Sequence, residues 1–456
     1  MVDSRIKTAT GDNDDFDIRT EEHSHGLKVT VLPKNSIIIK KFFVERDYPF
    51  DENSLFFANG YQSWTDSREF GYDDRMDGLG LIGKSLFGKK FGLSYVGDYN
   101  FVTEEKKRGS FHSHSFAYVR EGDTIDFFGS MTERTGFTVI YADMTGGKVR
   151  FSKDIDGVTI NEPYDVLDMY LDCGDYDGVF DRYFSALGVQ PITKKKIKGY
   201  TSWYNYYQGI SEDIILRDLH SLEAKKELVN TFQVDDGYQT AVGDWLSIDS
   251  KKFPNGMKKI ADSIHDVGFE AGLWLAPFGA QYNSKLAKNH PDWLIKDKKG
   301  KPITVGANWG GFYALDIYNT QVREYIKNVF NTVLNEWGFD LVKLDFLYAA
   351  SIVPMYNKSR GEIACDSIDF LRECVGNKKI LGCGVQQMPC FGKVDYMRIG
   401  ADMDLGWAHI WRRKYMHRED VSTPNAIHNS IYRRCLNGRA FLCDPDVFLL
   451  RRTNIR

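Results

Sequence analysis

The 456-residue sequence contains no run of 18 apolar residues, so no stretch of it reads as a membrane-spanning helix. Its first residues, MVDSRIKTATGDNDDFD, lack the apolar core of a signal peptide. Basic surplus is also missing: the formal net charge is −4 and the pI about 6.2, which argues against a nucleic-acid partner. Cysteines number seven and are scattered singly, without paired metal-ligand spacing, as in reduced thiols of a cytosolic protein. These absences predict a soluble, cytoplasmic chain with neither nucleic acid nor membrane as partner. Aromatic residues, by contrast, make up 14% of the chain. Their ring faces stack on sugar C–H faces, although they also fill cores.

The chain divides by texture. Residues 1–22 read as a flexible terminus and 23–185 as a β domain. There Leu27, Val29 and Val31 alternate, and short strands are separated by Gly, Asp and Asn turns, the pattern of a β-sandwich. Within it, Asn59-Gly-Tyr-Gln-Ser-Trp64 reads either as a hairpin with core aromatics or as a loop reaching toward a neighbouring site. His112 and His114 share a strand face, but no third ligand accompanies them, so no metal is expected. Residues 186–198 form a linker. From 199 to 456, strands near 199–204, 228–235, 269–276, 341–345, 380–383, 396–399 and 441–442 alternate with helices. This repeat implies a parallel sheet with right-handed crossovers. So many units favour a (β/α)8 barrel over a dinucleotide-binding sheet, and no G-x-G-x-x-G follows the first strand.

Leu341-Val-Lys-Leu-Asp-Phe-Leu347 is the most informative of these strands. A helix precedes it, with Val322, Ile326, Val329, Phe330 and Val333 on one face and Gly338 as its stop. Lys343 and Asp345 share side-chain parity, so a salt bridge between them is one reading of Asp345. The other is a catalytic carboxylate at the mouth of a barrel strand. Strand two ends in Asp235-Asp236, and strand six runs through Arg398 into Asp402 and Asp404. Acids from three strand ends thus meet on one face, together with Lys343 and the aromatics Trp203, Tyr204, Trp245 and Trp274. Two carboxyls, one ionised and one protonated, are what glycoside hydrolysis requires. Asp345 beside Lys343 is the better nucleophile, because a nearby cation holds a carboxylate ionised. Asp402, in a glycine-containing turn, suits the acid/base role; Arg398 works against that, and Asp404 is a rival.

At these residues the sequence resembles glycoside hydrolase family 36, the α-galactosidase (melibiase) family. The matching segments, in family order, include Ser202-Trp-Tyr204, Val234-Asp-Asp-Gly237, Gly243-Asp-Trp245, Gly272-Leu-Trp-Leu-Ala-Pro277, Lys343-Leu-Asp-Phe346, Leu381-Gly-Cys-Gly384, Arg398-Ile-Gly-Ala-Asp402 and Asp444-Pro-Asp446. The Asn59–Trp64 segment matches the family's amino-terminal sandwich. The resemblance implies an N-terminal β-sandwich, a (β/α)8 TIM-type barrel and a cofactor-free retaining mechanism with no metal. By position, Asp345 matches the nucleophile and Asp402 the acid/base. Asp235 and Asp236 match acids holding the C6 and C4 hydroxyls, Lys343 the lysine at C3/C4, and Arg398 with Cys383 the side of C2. Trp203, Tyr204, Trp245, Trp274 and Trp64 are implied to line the pocket.

One departure stands out. Family members continue past the Asp444-Pro-Asp446 strand, whereas this sequence stops at Arg456, so the expected barrel ends before its eighth unit and the lone chain is expected to be weakly stable. The implied substrate is a small oligosaccharide of the melibiose or raffinose type, and relatives often form homo-oligomers. Alternatives on the same fold are an α-N-acetylgalactosaminidase and an α-galactosyltransferase. The Gly384–Pro389 loop, through Gln386 and Gln387, is the expected arbiter of room beside C2. A truncated, inactive sugar-binding chain is the remaining alternative.

Overall fold

The computed structural model describes residues 3–10, 13–103, 107–404, 406–407 and 415–447. In the Gly26–Pro33 strand, Leu27, Val29 and Val31 are wholly buried, as alternation along a half-buried strand requires. That strand belongs to a seven-stranded antiparallel sheet. Ile37–Asp47 belongs to a second sheet with Ser110–His114, Phe137–Asp143 and Lys148–Asp154. Phe42, Val44, Val149 and Phe151 of the second share one apolar core with Leu27, Val29, Phe56 and Val119 of the first. The flexible terminus expected over 1–22 is corrected here. Asp3–Thr10 pairs with Ile37–Asp47, and Phe16–His23 pairs with Gly26–Pro33. Both lie at sheet edges, where ladder hydrogen bonds need only one neighbour and a polar sequence is tolerated.

Sequence reading found His112 and His114 but missed their partner. Asp98 Oδ2 lies 2.8 Å from His112 Nε2 and 2.9 Å from His114 Nε2. Together the three residues offer ligand-type atoms within 4.8 Å of one another. The place of a cation is nonetheless taken by Arg418, which pairs with Asp98 and reaches within 3.2 Å of His112. Burial holds the His112 imidazole below its ordinary value of 6.5. Asp98 is buried too, but Arg418 and then His112 hold its carboxyl well below 3.8. The unfolded chain therefore binds more protons at both groups, and stability drains away as pH falls below about 6.5 and further below 4. Thermal midpoints measured from pH 7.5 to 4.5 should fall, and His112→Gln should flatten the upper part of that decline.

Beyond the Tyr176–Ala186 helix and the link after it, seven strands pair in parallel in sequence order: Gly199–Thr201, Thr231–Val234, Glu270–Leu275, Leu341–Leu344, Lys379–Gly382, Tyr396–Arg398 and Leu442–Asp444. Among the described residues the first and seventh do not pair with each other. The helices between them follow local rules. Ser211 caps Glu212–Glu223 by accepting from Ile214 N, while Ile215 and Leu219 turn inward. Gly268, at φ 96°, closes Gly256–Val267. The helix before the fourth strand, Thr320–Asn331, finishes in a π turn over Thr332–Glu336, and Gly338 takes φ 87° as expected. The first strand is shorter than expected, because Trp203–Tyr206 turns into a short helix. A three-stranded antiparallel sheet, Gly279–Gln281, Thr304–Gly306 and Phe312–Ala314, sits between the third and fourth strands and was not anticipated. Among the described residues no helix is long and apolar enough to cross a membrane.

Candidate active site

Parallel register brings Trp274 level with Lys343, and Lys343 level with Leu381. Side chains leaving the C-terminal strand ends therefore converge. Trp64, Trp203, Asp235, Asp236, Trp274, Lys343, Asp345 and Asp402 line one cavity of about 300 Å³, a size suited to a small ligand. Cys383 and Arg398 are buried and Tyr204 is half-buried; none of the three belongs to that lining. Trp245 is corrected: it is buried with its ring centroid 5.7 Å from that of Trp274, and it supports that indole instead of facing the cavity.

The charges do not pair as their spacing predicted. Lys343 Nζ donates to Asp235 Oδ2 at 2.9 Å, across to strand two, so the bridge to Asp345 is not formed. Parity had assigned the face correctly but not the partner. Burial opposes the charge on Lys343, but Asp235 and Asp345 outweigh it and the ammonium is retained. Asp235 also accepts from Gln233 Nε2 at 2.8 Å. Asp236 takes Gln239 on one oxygen at 2.6 Å, and Gln208 and Trp309 on the other at 2.9 and 2.8 Å. Burial outweighs these donors and raises its carboxyl.

Asp345 accepts from Trp274 Nε1 at 3.1 Å and from Phe346 N at 2.9 Å. Its carboxyl is pushed up by burial, with Lys343 the main opposing influence. Phe346, directly after it, holds φ 54°, a strained conformation of the kind found at functional sites. Asp402 behaves in the opposite way. Burial raises it, but Arg398, 2.7 Å away, and then Lys343 bring it below the ordinary value. The side chain is 34% exposed, toward the cavity it lines, and Trp203 Nε1 donates to it at 3.3 Å. These directions run against the order argued from sequence neighbours: burial favours a proton on Asp345, and Arg398 disfavours one on Asp402.

The Asn59–Trp64 segment does reach in. Ser63 N donates to Val385 O at 2.9 Å, and Trp64 Nε1 points at Cys383 Sγ at 3.4 Å. A Cβ on Gly384, whose φ is 58°, would meet the Trp64 ring at 2.8 Å, so glycine is required there. Gln386 and Gln387 do not border the cavity: Gln387 lies 3.2 Å from Arg433, and both are buried at the junction with the N-terminal sheets. Sequence reading missed Trp309, Leu93, Val96, Met416, His417 and Glu419 as lining residues. Trp309 left a signal, an aromatic followed by Gly310 and Gly311. A second cleft of about 340 Å³ on the N-terminal sheets has no comparable convergence; Glu45 there is paired with Lys148 and Arg150 at 2.9 and 2.8 Å.

Acids and aromatics gathered at parallel strand ends suit the binding and chemistry of a sugar. Residues 199–362 match the family model described as melibiase. That match falls on the segment whose motifs implied the family, and it makes 199–362 similar to melibiase domains. The chain is 32% identical over 154 residues to an A type blood α-D-galactosamine galactosaminidase of Flavonifractor plautii, covering 32% of this chain and 14% of that protein. To α-galactosidase Mel36A of Lactobacillus acidophilus it is 30% identical over 175 residues, 36% of this chain and 23% of the relative. The matched stretches thus span less than a quarter of these curated relatives. In three dimensions it resembles the α-galactosidase TtGalA of Thermus thermophilus, solved with stachyose, at TM-score 0.76 and 25% identity, covering 99% of this chain and 87% of that one.

Proposed function

We propose that the chain is a retaining exo-α-galactosidase, hydrolysing terminal α-D-galactosyl residues of melibiose- or raffinose-type oligosaccharides. In this reading the two N-terminal sheets are a β-sandwich and the parallel strands belong to a (β/α)8-type barrel. The observation that carries it is the entry of Asp345 and Asp402 into one aromatic-walled cavity from strands four and six. Asp345 attacks the anomeric carbon while Asp402 gives its proton to the glycosidic oxygen. Water, deprotonated by Asp402, then displaces Asp345 and releases α-galactose. Asp235, Asp236 and Lys343 hold the sugar hydroxyls, and buried acceptors of this kind strongly reject a sugar lacking the matching group. Seven unpaired thiols accord with a reducing, cytoplasmic setting. The Thermus relative's stachyose complex accords with galacto-oligosaccharide substrates.

Galactose is favoured over N-acetylgalactosamine because Trp64, packed on Cys383, closes the side assigned to C2. The test compares p-nitrophenyl α-galactoside with its N-acetyl analogue and follows the first-formed sugar by proton NMR. The galactoside should be preferred by at least about 100-fold, and the α anomer should appear first. No turnover of the galactoside, or β-galactose as first product, would overturn the reading.

A further inference from the structure

Asp446, in the Asp444-Pro-Asp446 segment, carries no role in the mechanism above, yet three features single it out. Its side chain is 3% exposed, and its carboxylate sits on the same guanidinium nitrogen as that of Asp402: Arg398 Nη2 lies 2.7 Å from Asp446 Oδ2 and 2.7 Å from Asp402 Oδ1. Tyr204 OH donates to Asp446, and so does the backbone N–H of Met403, the residue after Asp402, at 2.7 Å. Its backbone holds φ 81°, a strained value for a non-glycine residue, fixed by a hydrogen bond from its own N–H to Asp444 Oδ1 at 2.9 Å. A buried, strained carboxylate sharing its cation with another acid is costly unless it is used.

We infer that Asp446 is a positioning residue for general acid catalysis: by taking up the charge of Arg398, it frees Asp402 to hold the proton given to the glycosidic oxygen. The inference rests on the acid/base assignment of Asp402 made above. With Asp446 on the same guanidinium nitrogen, Arg398 keeps a carboxylate partner when Asp402 takes up its proton. As the C1–O bond breaks, that proton moves to the leaving oxygen while Asp345 bonds to C1. Ionised Asp402 then regains Arg398 and later takes a proton from the attacking water. Without Asp446, Arg398 would be committed to Asp402 throughout.

The charged and titratable groups around the pair are compatible with this division. Arg398, Lys343, Asp345, Cys383 and Tyr204 face Asp402; Arg398, Tyr204 and Asp444 face Asp446. Burial pushes Asp446 up to about 6, with Arg398 pulling it down and Asp402 raising it again. Arg398 holds Asp402 below its ordinary value, and two carboxylates on one guanidinium titrate as a pair.

The test replaces Asp446 with Gly, which adopts φ 81° without strain, and with Asn. Both are compared with Asp402→Asn on methyl α-galactoside, a poor leaving group, and p-nitrophenyl α-galactoside, a good one. Each Asp446 variant should lose more than about 30-fold in kcat/KM on the methyl glycoside and less than about 3-fold on the nitrophenyl glycoside. The alkaline limb of kcat/KM should move to lower pH by about one unit. Formate should restore Asp446→Gly toward the parent profile by refilling the carboxylate site. Equal losses on both glycosides, an unmoved alkaline limb, or no effect of formate would each overturn the inference. If Asp402→Asn itself loses both substrates equally, the acid/base assignment fails first and takes this inference with it. A leaving-group-dependent Asp402→Asn beside leaving-group-independent Asp446 variants sinks the inference alone.

Discussion

Asp345→Gly should lose on the order of 10⁴-fold or more in kcat on p-nitrophenyl α-galactoside, and added azide should return turnover with β-galactosyl azide as product. The loss follows from the surroundings of Asp345. Trp274 Nε1 and Phe346 N fix its two oxygens at 3.1 and 2.9 Å, and Phe346 accepts a strained φ of 54° beside it. No other acid can take its place: Asp235 is bound to Lys343, and Asp236 is bound to three side-chain donors. An anion entering the space left by the carboxylate attacks from the nucleophile's own face, so the product has the inverted, β configuration. Asp402→Gly should behave in mirror image. There the galactosyl–Asp345 ester still forms from the activated glycoside, and azide approaches from the opposite face to give the α azide. Product anomers read by NMR decide the matter: α-galactosyl azide from Asp345→Gly would exchange the two roles.

That the acids at the strand ends drew attention before the fold was known has a physical reason. A buried strand tolerates charge only at its end, so Asp345 and Asp235-Asp236 stood out against the apolar residues preceding them. Period-two parity placed Lys343 with Asp345, but which neighbour the ammonium meets is decided across the sheet, 108 residues away at Asp235. The same limit hid Trp309, which reaches Asp236 from a small sheet inserted between two parallel strands. Trp245 and Trp274 are equivalent in composition, and only packing makes one of them the wall and the other its support. Gln386 and Gln387 follow Cys383 closely in sequence, yet the chain turns at Gly384, φ 58°, and carries both away from the cavity. Residues 1–22 misled for a different reason: edge strands are held by backbone hydrogen bonds, and polar side chains say little about those. Asp446 was legible as part of a motif, but not its sharing of one guanidinium nitrogen with Asp402, which only the fold brings about.

Arg433→Met should produce the largest loss of stability of any single substitution outside the cavity, roughly 3–5 kcal/mol, together with a raised KM. Arg433 follows the Thr423–Tyr432 helix and is wholly buried, yet no carboxylate pairs with it among the described residues. Its guanidinium instead donates to Asn59 Oδ1 at 3.0 Å, and to the carbonyls of Gly60, Gln62 and Ser63 at 3.0, 3.1 and 2.8 Å. A fifth bond, at 2.8 Å, goes to Ile399 O, just after the sixth parallel strand. Burial draws its proton affinity down to about 9, still above neutrality, so the group stays charged and gathers the carbonyls around it. Methionine would fill much of the volume but leave those acceptors unpaired, each at a cost of about 1–3 kcal/mol before relaxation. The same helix supplies Asn425, whose Nδ2 donates to Trp64 O at 3.0 Å and whose Oδ1 accepts from Ala401 N at 3.1 Å. The two ends of one helix thus tie the loop bearing Trp64 to the segment from Ile399 to Ala401 that leads to Asp402, and loosening them should weaken sugar binding as well as folding. Arg433→Lys keeps the charge without the planar fork and should recover less than half of the lost stability. Thermal and urea unfolding of the three proteins, with KM for p-nitrophenyl α-galactoside, provide the check. An unfolding free energy for Arg433→Met within about 1 kcal/mol of the parent would show that the N-terminal loop is held on the parallel sheet by other contacts.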